Sequence, residues 1–197
     1  RCNVCAGKAK PNKIYREVFV MSSQNEVLSA MATRRSCRAY TAQQIKPEEL
    51  QAVLEAGTWA PTAMNRQSPV IVAVQDKETR DTLSALNARI MGVEHDPFYG
   101  APTVLVVLAD RTIPTYVEDG SLVLGNLLLA ATSIGLGSCW INRAKETFDL
   151  PEGKALLRKW GLDPEKYRGV GNCILGYPAP GGIKAAAPRK PDYVVHV

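Results

Sequence analysis

The sequence predicts a three-layer sandwich, with helices on both sides of a sheet, in the α+β or α/β class. Three observations lead there. The first is the run from Tyr116 to Arg143, YVEDGSLVLGNLLLAATSIGLGSCWINR. Its only acids, Glu118 and Asp119, stand at the front, where a helix N-terminus favours negative charge. Behind them Leu122, Leu128, Leu129 and Ile134, with Val123, Leu127 and Ala131 between, ring nearly the whole circumference at helical spacing. A helix apolar all round lies in a core or in a membrane. Gly125, Asn126, Thr132 and Ser133, in an uncharged span of only about 20 residues, suit the core. The second observation is Thr103–Ala109, a continuous apolar strand of the kind covered on both faces. The third is that helical patterns flank about four such interior strands along the chain, in mixed order.

In chain order, Met21 followed by SSQNEVLSAM reads as a natural start, with Ser23 or Asn25 capping a helix that runs to Thr33. Residues 1–20 show neither periodicity nor caps and read as an appendage or extension to a domain of residues 21–197. A second helix opens at Pro47, an N1 proline followed by two glutamates, and turns Leu50, Val53 and Leu54 inward as far as Gly57. A proline-bracketed loop, Thr58–Pro69, leads to the β-branched strand Val70–Val74 and the helix Lys77–Met91. Residues 92–102 form a loop before the strand Thr103–Ala109. After the central helix, Gly135 and Gly137 supply its C-cap and turn, and Ser138–Ile141 is a short buried strand. Glu152–Trp160 reads as a short helix and Gly171–Tyr177 as a strand. The tail from Ala179 is rich in Pro, Gly, Ala and basic residues, with a last strand expected at Tyr193–Val197. A structureless tail of this length is unusual within a compact domain, and wrapping a partner subunit would explain it.

At 197 residues and 46% hydrophobic, the composition is that of one globular domain. The net charge of +5 sits at the ends, five basic groups in residues 1–20 and Lys184, Arg189 and Lys190 in the tail. A nucleic-acid binder would show a basic stripe on its folded surface instead. Cys2 and Cys5 form a CxxC without the further ligands of a zinc or ferredoxin site. Cys37, Cys139 and Cys173 read as buried small hydrophobes of a reducing compartment, and the N-terminus shows no apolar signal segment. The expected location is the cytoplasm.

The candidate chemistry is first defined by what is missing. There is no GxGxxG after a strand and no P-loop motif. His95 and His196, the only histidines, make a Ser/His/Asp arrangement improbable on count alone, no metal-ligand spacing exists, and no carboxylate pair stands out. So few reactive side chains point to a bound cofactor that carries the chemistry. Three clues remain. Arg34, Arg35 and Arg38 surround Ser36 at a helix end; guanidinium forks match phosphate oxygens and the hydroxyl completes the shell. Read alone, they are equally a solvated charge run. Thr62, Asn65 and Gln67 offer hydroxyl and amide groups on the proline-bracketed loop, suited to the polar edge of a heterocycle. Arg189, in Ala187–Pro191, is the third.

RRSxRxY, APTAMNRQSP, GLGSCWI, GYP and a late PRKP occur in that order, and the set resembles the nitroreductase family of flavoproteins, in its short single-domain form, from about Glu26 to Val197. The resemblance implies the family's α+β fold, a three-layer α/β/α sandwich with a mixed, mainly antiparallel central sheet. It implies an intertwined homodimer with the helix at 117–134 in the interface and one FMN site per subunit built from both chains. Arg34, Ser36, Arg35 and Arg38 would hold the phosphate, joined by Arg189. Pro61, Thr62 and Ala63 would reach the flavin ring from the partner chain. Asn65 and Gln67 would hydrogen-bond the isoalloxazine or ribityl, and Cys139, Trp140, Ile141 and Asn142 would run alongside the ring. No protein side chain need be catalytic. The implied activity is ping-pong transfer of two electrons from NADH or NADPH to nitroaromatics, quinones or similar planar acceptors, with no nucleic-acid or membrane partner. Thr62, Met64 and Ser68-Pro69 depart from the family's usual loop, which leaves the acceptor open. The alternatives are a flavin-binding redox sensor without turnover, a specialised relative that cleaves flavin, dehalogenates iodotyrosine or oxidises azolines, and an anion-binding structural domain.

Overall fold

The computed structural model describes residues 25–197, so the expected appendage, Cys2, Cys5 and Ser23 lie outside the described residues. The chain divides into two units, 1–33 and 34–197. In the first, helix α1 (Glu26–Thr33) is capped by Asn25, whose Oδ1 accepts from the N–H groups of Val27 and Leu28 at 3.0 and 3.2 Å.

The second unit runs α2 (Pro47–Thr58), a 3-10 turn (Ala63–Asn65), β1 (Pro69–Val74), α3 (Lys77–Met91) and β2 (Thr103–Asp110). It continues with α4 (Tyr116–Ser133), β3 (Gly137–Ile141), α5 (Ala144–Asp149), α6 (Pro151–Lys159) and β4 (Tyr167–Gly176). The strands lie in the order β1-β2-β4-β3, and all three pairings are antiparallel. The parallel component expected of a mixed sheet is confined to an isolated bridge between Ser36 and Ser138.

Period-two alternation splits the interior into two layers. Val104, Val106 and Leu108 of β2 face one side, with Ile174, Cys139, Ile141, Leu83, Phe148 and Leu157. Leu105 and Val107 face the other, with Cys173, Leu175, Val53, Leu124, Leu127 and Leu128. β2 and β4 are therefore covered on both faces, as the unbroken apolar run of β2 requires. The α+β sandwich is the observed fold.

Several boundaries differ from the sequence reading. α5 was missed because six residues are too few to show a helical period. β4 begins at Tyr167, four residues early, since Gly169 and Gly171 hide its pattern. Gly137 belongs to β3, while Gly135 alone turns left-handed past α4, at φ 81°. Tyr193–Val197 is not a strand: its residues are exposed and pair with no described edge. α4 is not uniformly outward or inward. Leu128 belongs to the chain's own core, whereas Leu122 is exposed on the opposite side and Val117 and Ile134 are exposed at the two ends of the helix.

Candidate functional site

The arginine segment is held by its backbone. Cys37 N–H donates to the Ser138 carbonyl at 2.9 Å, and Arg38 N–H to that of Gly182 at 2.8 Å. Thr41 N–H reaches the Tyr177 carbonyl and Ala179 N–H reaches that of Ala39. The segment thus covers the open edge of β3 on one side and binds the Pro178–Ile183 turn on the other. Cys37, fully buried, is its keystone. A Cβ on Gly137 would lie 2.8 Å from the Cys37 sulfur, and one on Gly182 would lie 2.4 Å from the Ala39 carbonyl oxygen. Only glycines allow so close an approach. The Tyr40 hydroxyl donates to the Cys37 carbonyl at 2.9 Å, and burial, with the Cys37 thiol alongside, pushes its pKa far above the usual phenol range. It remains a neutral donor at any physiological pH.

Alternation along this extended segment puts Ser36 and Arg38 on the side away from buried Cys37. Arg34, Arg35 and Ser36 are half-buried and Arg38 is exposed. Arg35 Nη1 donates to the Arg34 carbonyl at 2.6 Å. Neither Arg34 nor Arg38 forms an ion pair with an acid among the described residues. Among the described residues the charges of Arg34 and Arg38 are therefore without an acid partner, on an ordered backbone. Arg189 lies in the exposed tail beyond Ile183, and no described contact ties it to the cluster.

The second group is the Pro61–Ser68 loop, and its organiser is Asp119. That carboxylate, 2% exposed in the first turn of α4, accepts from Ala63 N–H at 3.0 Å, from Thr115 Oγ1 at 3.3 Å and from Ser68 Oγ at 3.4 Å. Within the loop, Gln67 N–H donates to Thr62 Oγ1 at 3.0 Å and Gln67 Nε2 to Asn65 Oδ1 at 3.1 Å. Met64, Asn65 and Gln67 all have left-handed backbone, at φ 54°, 53° and 49°. A cleft of about 330 Å³, within the range of small-ligand sites, opens beside it, lined by Leu54, Thr58, Thr62, Gln67, Ile71 and Val123.

The third group is the end of β3. Cys139 and Ile141 point into the core and Trp140 packs against the other layer, so the strand offers a ligand its backbone rather than these side chains. Asn142 is exposed, and its carbonyl accepts from the fully buried Asn87 at 2.8 Å. Arg143 follows in left-handed conformation and pairs with Glu146 at 3.0 Å.

α4 separates the first two groups. The loop is tied to Asp119 near its start, while β3 and the arginine segment are tied to its far end, where Ser138 Oγ meets the Leu128 carbonyl at 3.5 Å. Nine residues of helix rise about 14 Å. One chain therefore holds the arginines and the amide loop apart.

Sequence reasoning missed Asp119, Gly182 and Asn87. Asp119 was legible in principle: it precedes Val123 and Leu127 at four-residue steps, which places a carboxylate on the apolar stripe. Gly182 and Asn87 left no such signal.

Comparison with known proteins points to one family. The model of the nitroreductase family matches residues 31–94 and 89–177. A crystal structure of a nitroreductase with bound FMN from Bacteroides fragilis is 33% identical, covers 88% of this chain and 99% of its own, and superposes with a TM-score of 0.79. A nitroreductase with bound FMN from Desulfitobacterium hafniense is 27% identical, with coverages of 88% and 98% and a TM-score of 0.75. An FMN reductase (NAD(P)H) of Bacillus subtilis is 26% identical over 189 residues, 87% of this chain and 73% of its own length.

Proposed function

The chain belongs to the nitroreductase family, and we propose that it is an FMN-dependent oxidoreductase that passes two electrons from NAD(P)H to nitroaromatics, quinones or similar planar acceptors. The observation that carries the reading is the arginine–serine segment. Arg34 and Arg38 lack acid partners among the described residues, Ser36 lies between them, and two close glycine approaches fix the backbone that bears them. Uncompensated guanidinium groups on an ordered strand edge fit a phosphate monoester, which they bind through charge-assisted hydrogen bonds. The loop offers the complementary half. Asn65 and Gln67 are exposed amides on a backbone held by a buried carboxylate, suited to a heterocycle's polar edge.

FMN, when bound, supplies hydride acceptance from the nicotinamide and two-electron delivery to the acceptor. The protein's share is placement. Arg34, Ser36 and Arg38, with Arg35 and Arg189, hold the phosphate. Thr62, Ala63, Asn65 and Gln67 would meet the ring system, with backbone groups of Cys139–Asn142 available beside it. No histidine or carboxylate acts as acid or base. If nicotinamide and acceptor share one binding place in turn, the kinetics would be ping-pong.

The site is completed by a second copy. The two halves are anchored at separate points along α4 within one chain, and α4 leaves Leu122 exposed on the face away from the core, with Val117 and Ile134 exposed at its ends, apolar surface that a homodimer would cover. Leu122→Asp gives a folded monomer that loses FMN, measured by light scattering and flavin absorbance, whereas Leu128→Asp fails to fold. A dimeric, flavin-replete Leu122→Asp protein overturns the interface. No helix among the described residues is long and apolar enough to cross a membrane. Cys37, Cys139 and Cys173 are free buried thiols, with that of Cys173 pushed up to about 12 by burial, which suits the cytoplasm.

The deciding experiment is the visible spectrum of the purified protein before and after anaerobic NADH and NADPH. A flavin spectrum that bleaches with either nucleotide supports the reductase. Flavin that resists both nucleotides favours a sensor without turnover. A colourless protein that also refuses added FMN refutes the reading.

A further inference from the structure

We infer that Met64 and Arg66 form an acceptor clamp, and that the acceptors it favours are planar rings bearing an anionic substituent such as a carboxylate. The inference rests on the flavin reading above, which puts the Pro61–Ser68 loop beside the stacking face.

The loop's hydrogen bonds leave Met64 and Arg66 as exposed side chains with no described bond to the rest of the loop. Thr62, Asn65 and Gln67 bond to one another, and Ala63 and Ser68 bond to Asp119. Met64, by contrast, is 84% exposed, and Arg66 is exposed with no acid partner among the described residues. Their one described side-chain contact is mutual: Arg66 Nη2 lies 3.4 Å from the Met64 sulfur. A thioether is a weak acceptor and leaves the guanidinium charge uncompensated. The pair therefore presents a soft, polarisable apolar group directly beside a forked cation. A thioether packs well against a ring edge, and a guanidinium binds carboxylate bidentately.

The backbone argues that this presentation is selected. A bulky residue at φ 54° is an outlier, and here Met64 is followed by Asn65 in the same region, with Gln67 two residues on. Such strain persists only where the surroundings impose it, most often at ligand sites. Asp119 imposes it here, through the Ala63 N–H immediately before Met64.

The anion could instead be the 2′-phosphate of NADPH, so the test separates the two. Full-length wild type, Arg66→Gln and Arg66→Glu are compared on 4-nitrobenzoate and its neutral methyl ester, each with NADH and with NADPH. The oxidised proteins are also titrated with 4-nitrobenzoate, following the flavin absorbance, to give binding without turnover. Flavin content is measured throughout. The wild type prefers the acid over the ester. Arg66→Gln lowers the acid-to-ester ratio of kcat/KM about tenfold, the lower range for a charge-assisted bond, through KM and with matching loss in the binding titration. Arg66→Glu inverts the preference. Equal losses on both acceptors place Arg66 on the flavin and overturn the clamp. A change confined to NADPH against NADH assigns it to the nucleotide and overturns it too. If none of the proteins binds FMN or oxidises either nucleotide, the flavin reading falls and takes the clamp with it; flavin turnover without acid preference removes the clamp alone.

Discussion

The arginine segment and the Pro61–Ser68 loop reach fixed backbones by opposite means. The first is locked by absence of side chain: Gly137 and Gly182 let it press against β3 and the tail turn around buried Cys37. The second is locked by a single buried charge, Asp119, which gathers a backbone N–H and two hydroxyls and so holds left-handed residues in place. Steric close packing suits the half that must present charge, since it introduces no acid that would neutralise the arginines. A carboxylate suits the half that presents amides and a thioether. The difference predicts different failures when each anchor is removed.

The largest effect belongs to Asp119→Ala. It leaves buried donors unsatisfied, each worth about 1–3 kcal/mol, so unfolding stability falls by about 3 kcal/mol and FMN binding is lost with it. Chemical denaturation and flavin titration measure both. Asp119→Asn, which keeps two acceptor lone pairs, recovers part of the stability; full stability in the alanine variant would mean the loop holds itself.

Gly137→Ala comes next. Its Cβ would stand 2.8 Å from the Cys37 sulfur and 2.9 Å from the Cys37 Cβ, so the arginine segment shifts. Overpacking of this kind costs about 1–3 kcal/mol, and FMN affinity drops more than global stability does. Adding Cys37→Ala removes the sulfur and restores flavin affinity in part. If the double variant binds no better, the segment is not held at this contact.

Arg34→Ala breaks no fold and acts only on the ligand. Loss of one charge-assisted phosphate contact weakens FMN by about 1.5–3 kcal/mol. The same variant should bind riboflavin, which lacks the phosphate, as well as wild type does, and equal losses for both ligands would count against the phosphate assignment.

The smallest effect sharpens the comparison from outside the site. Asp96 organises the 92–102 loop much as Asp119 organises the other, accepting from Arg80, Ser84, Phe98 N–H and Gly100 N–H. Burial raises its pKa, but the Arg80 and Ser84 bonds and the two backbone donors outweigh it, and the carboxyl sits below the usual range. A depressed carboxylate contributes stability that is present above its unfolded pKa, near 3.9, and is lost as pH falls through the folded value. Acid titration should show that stability persisting to about pH 4 and fading below. Asp96→Asn removes the acid dependence without touching flavin content; an unchanged profile would assign it to other carboxylates.

Much of the fold was readable in advance. Lys77–Met91 was bounded correctly by its period, Asn25 and Pro47 by capping chemistry, and β2 by an apolar run that only a doubly covered strand tolerates. These are local rules, in which residue type and spacing suffice. Where they failed, the deciding partner was distant. β4's glycines look like a loop until Leu124 and Trp140 pack against Gly171 and the Ala144 carbonyl against Gly169. The tail's valines look like a strand, yet no sheet edge among the described residues pairs with them.

Of the candidate site, the residue types were legible and the arrangement was not. Three arginines around a serine, and amides between prolines, can be read from order and spacing because phosphate and heterocycle recognition demand particular groups. That Cys139 and Ile141 turn inward while Asn142 stays out depends on the face β3 shows to α3 and α5. That Asp119 serves the loop depends on a contact across 56 positions of sequence. The sequence by itself determined all the helices but α5, the strands of the sheet, its two-sided burial and the chemistry on offer, because propensity, periodicity and functional groups are properties of short stretches. Only the tertiary structure decided which backbone each group rides on, and that the loop and β3 are anchored on α4 at Asp119 and Leu128, about 14 Å apart along the helix. Those facts come from non-local packing, where glycine contacts and one buried carboxylate outweigh any local preference.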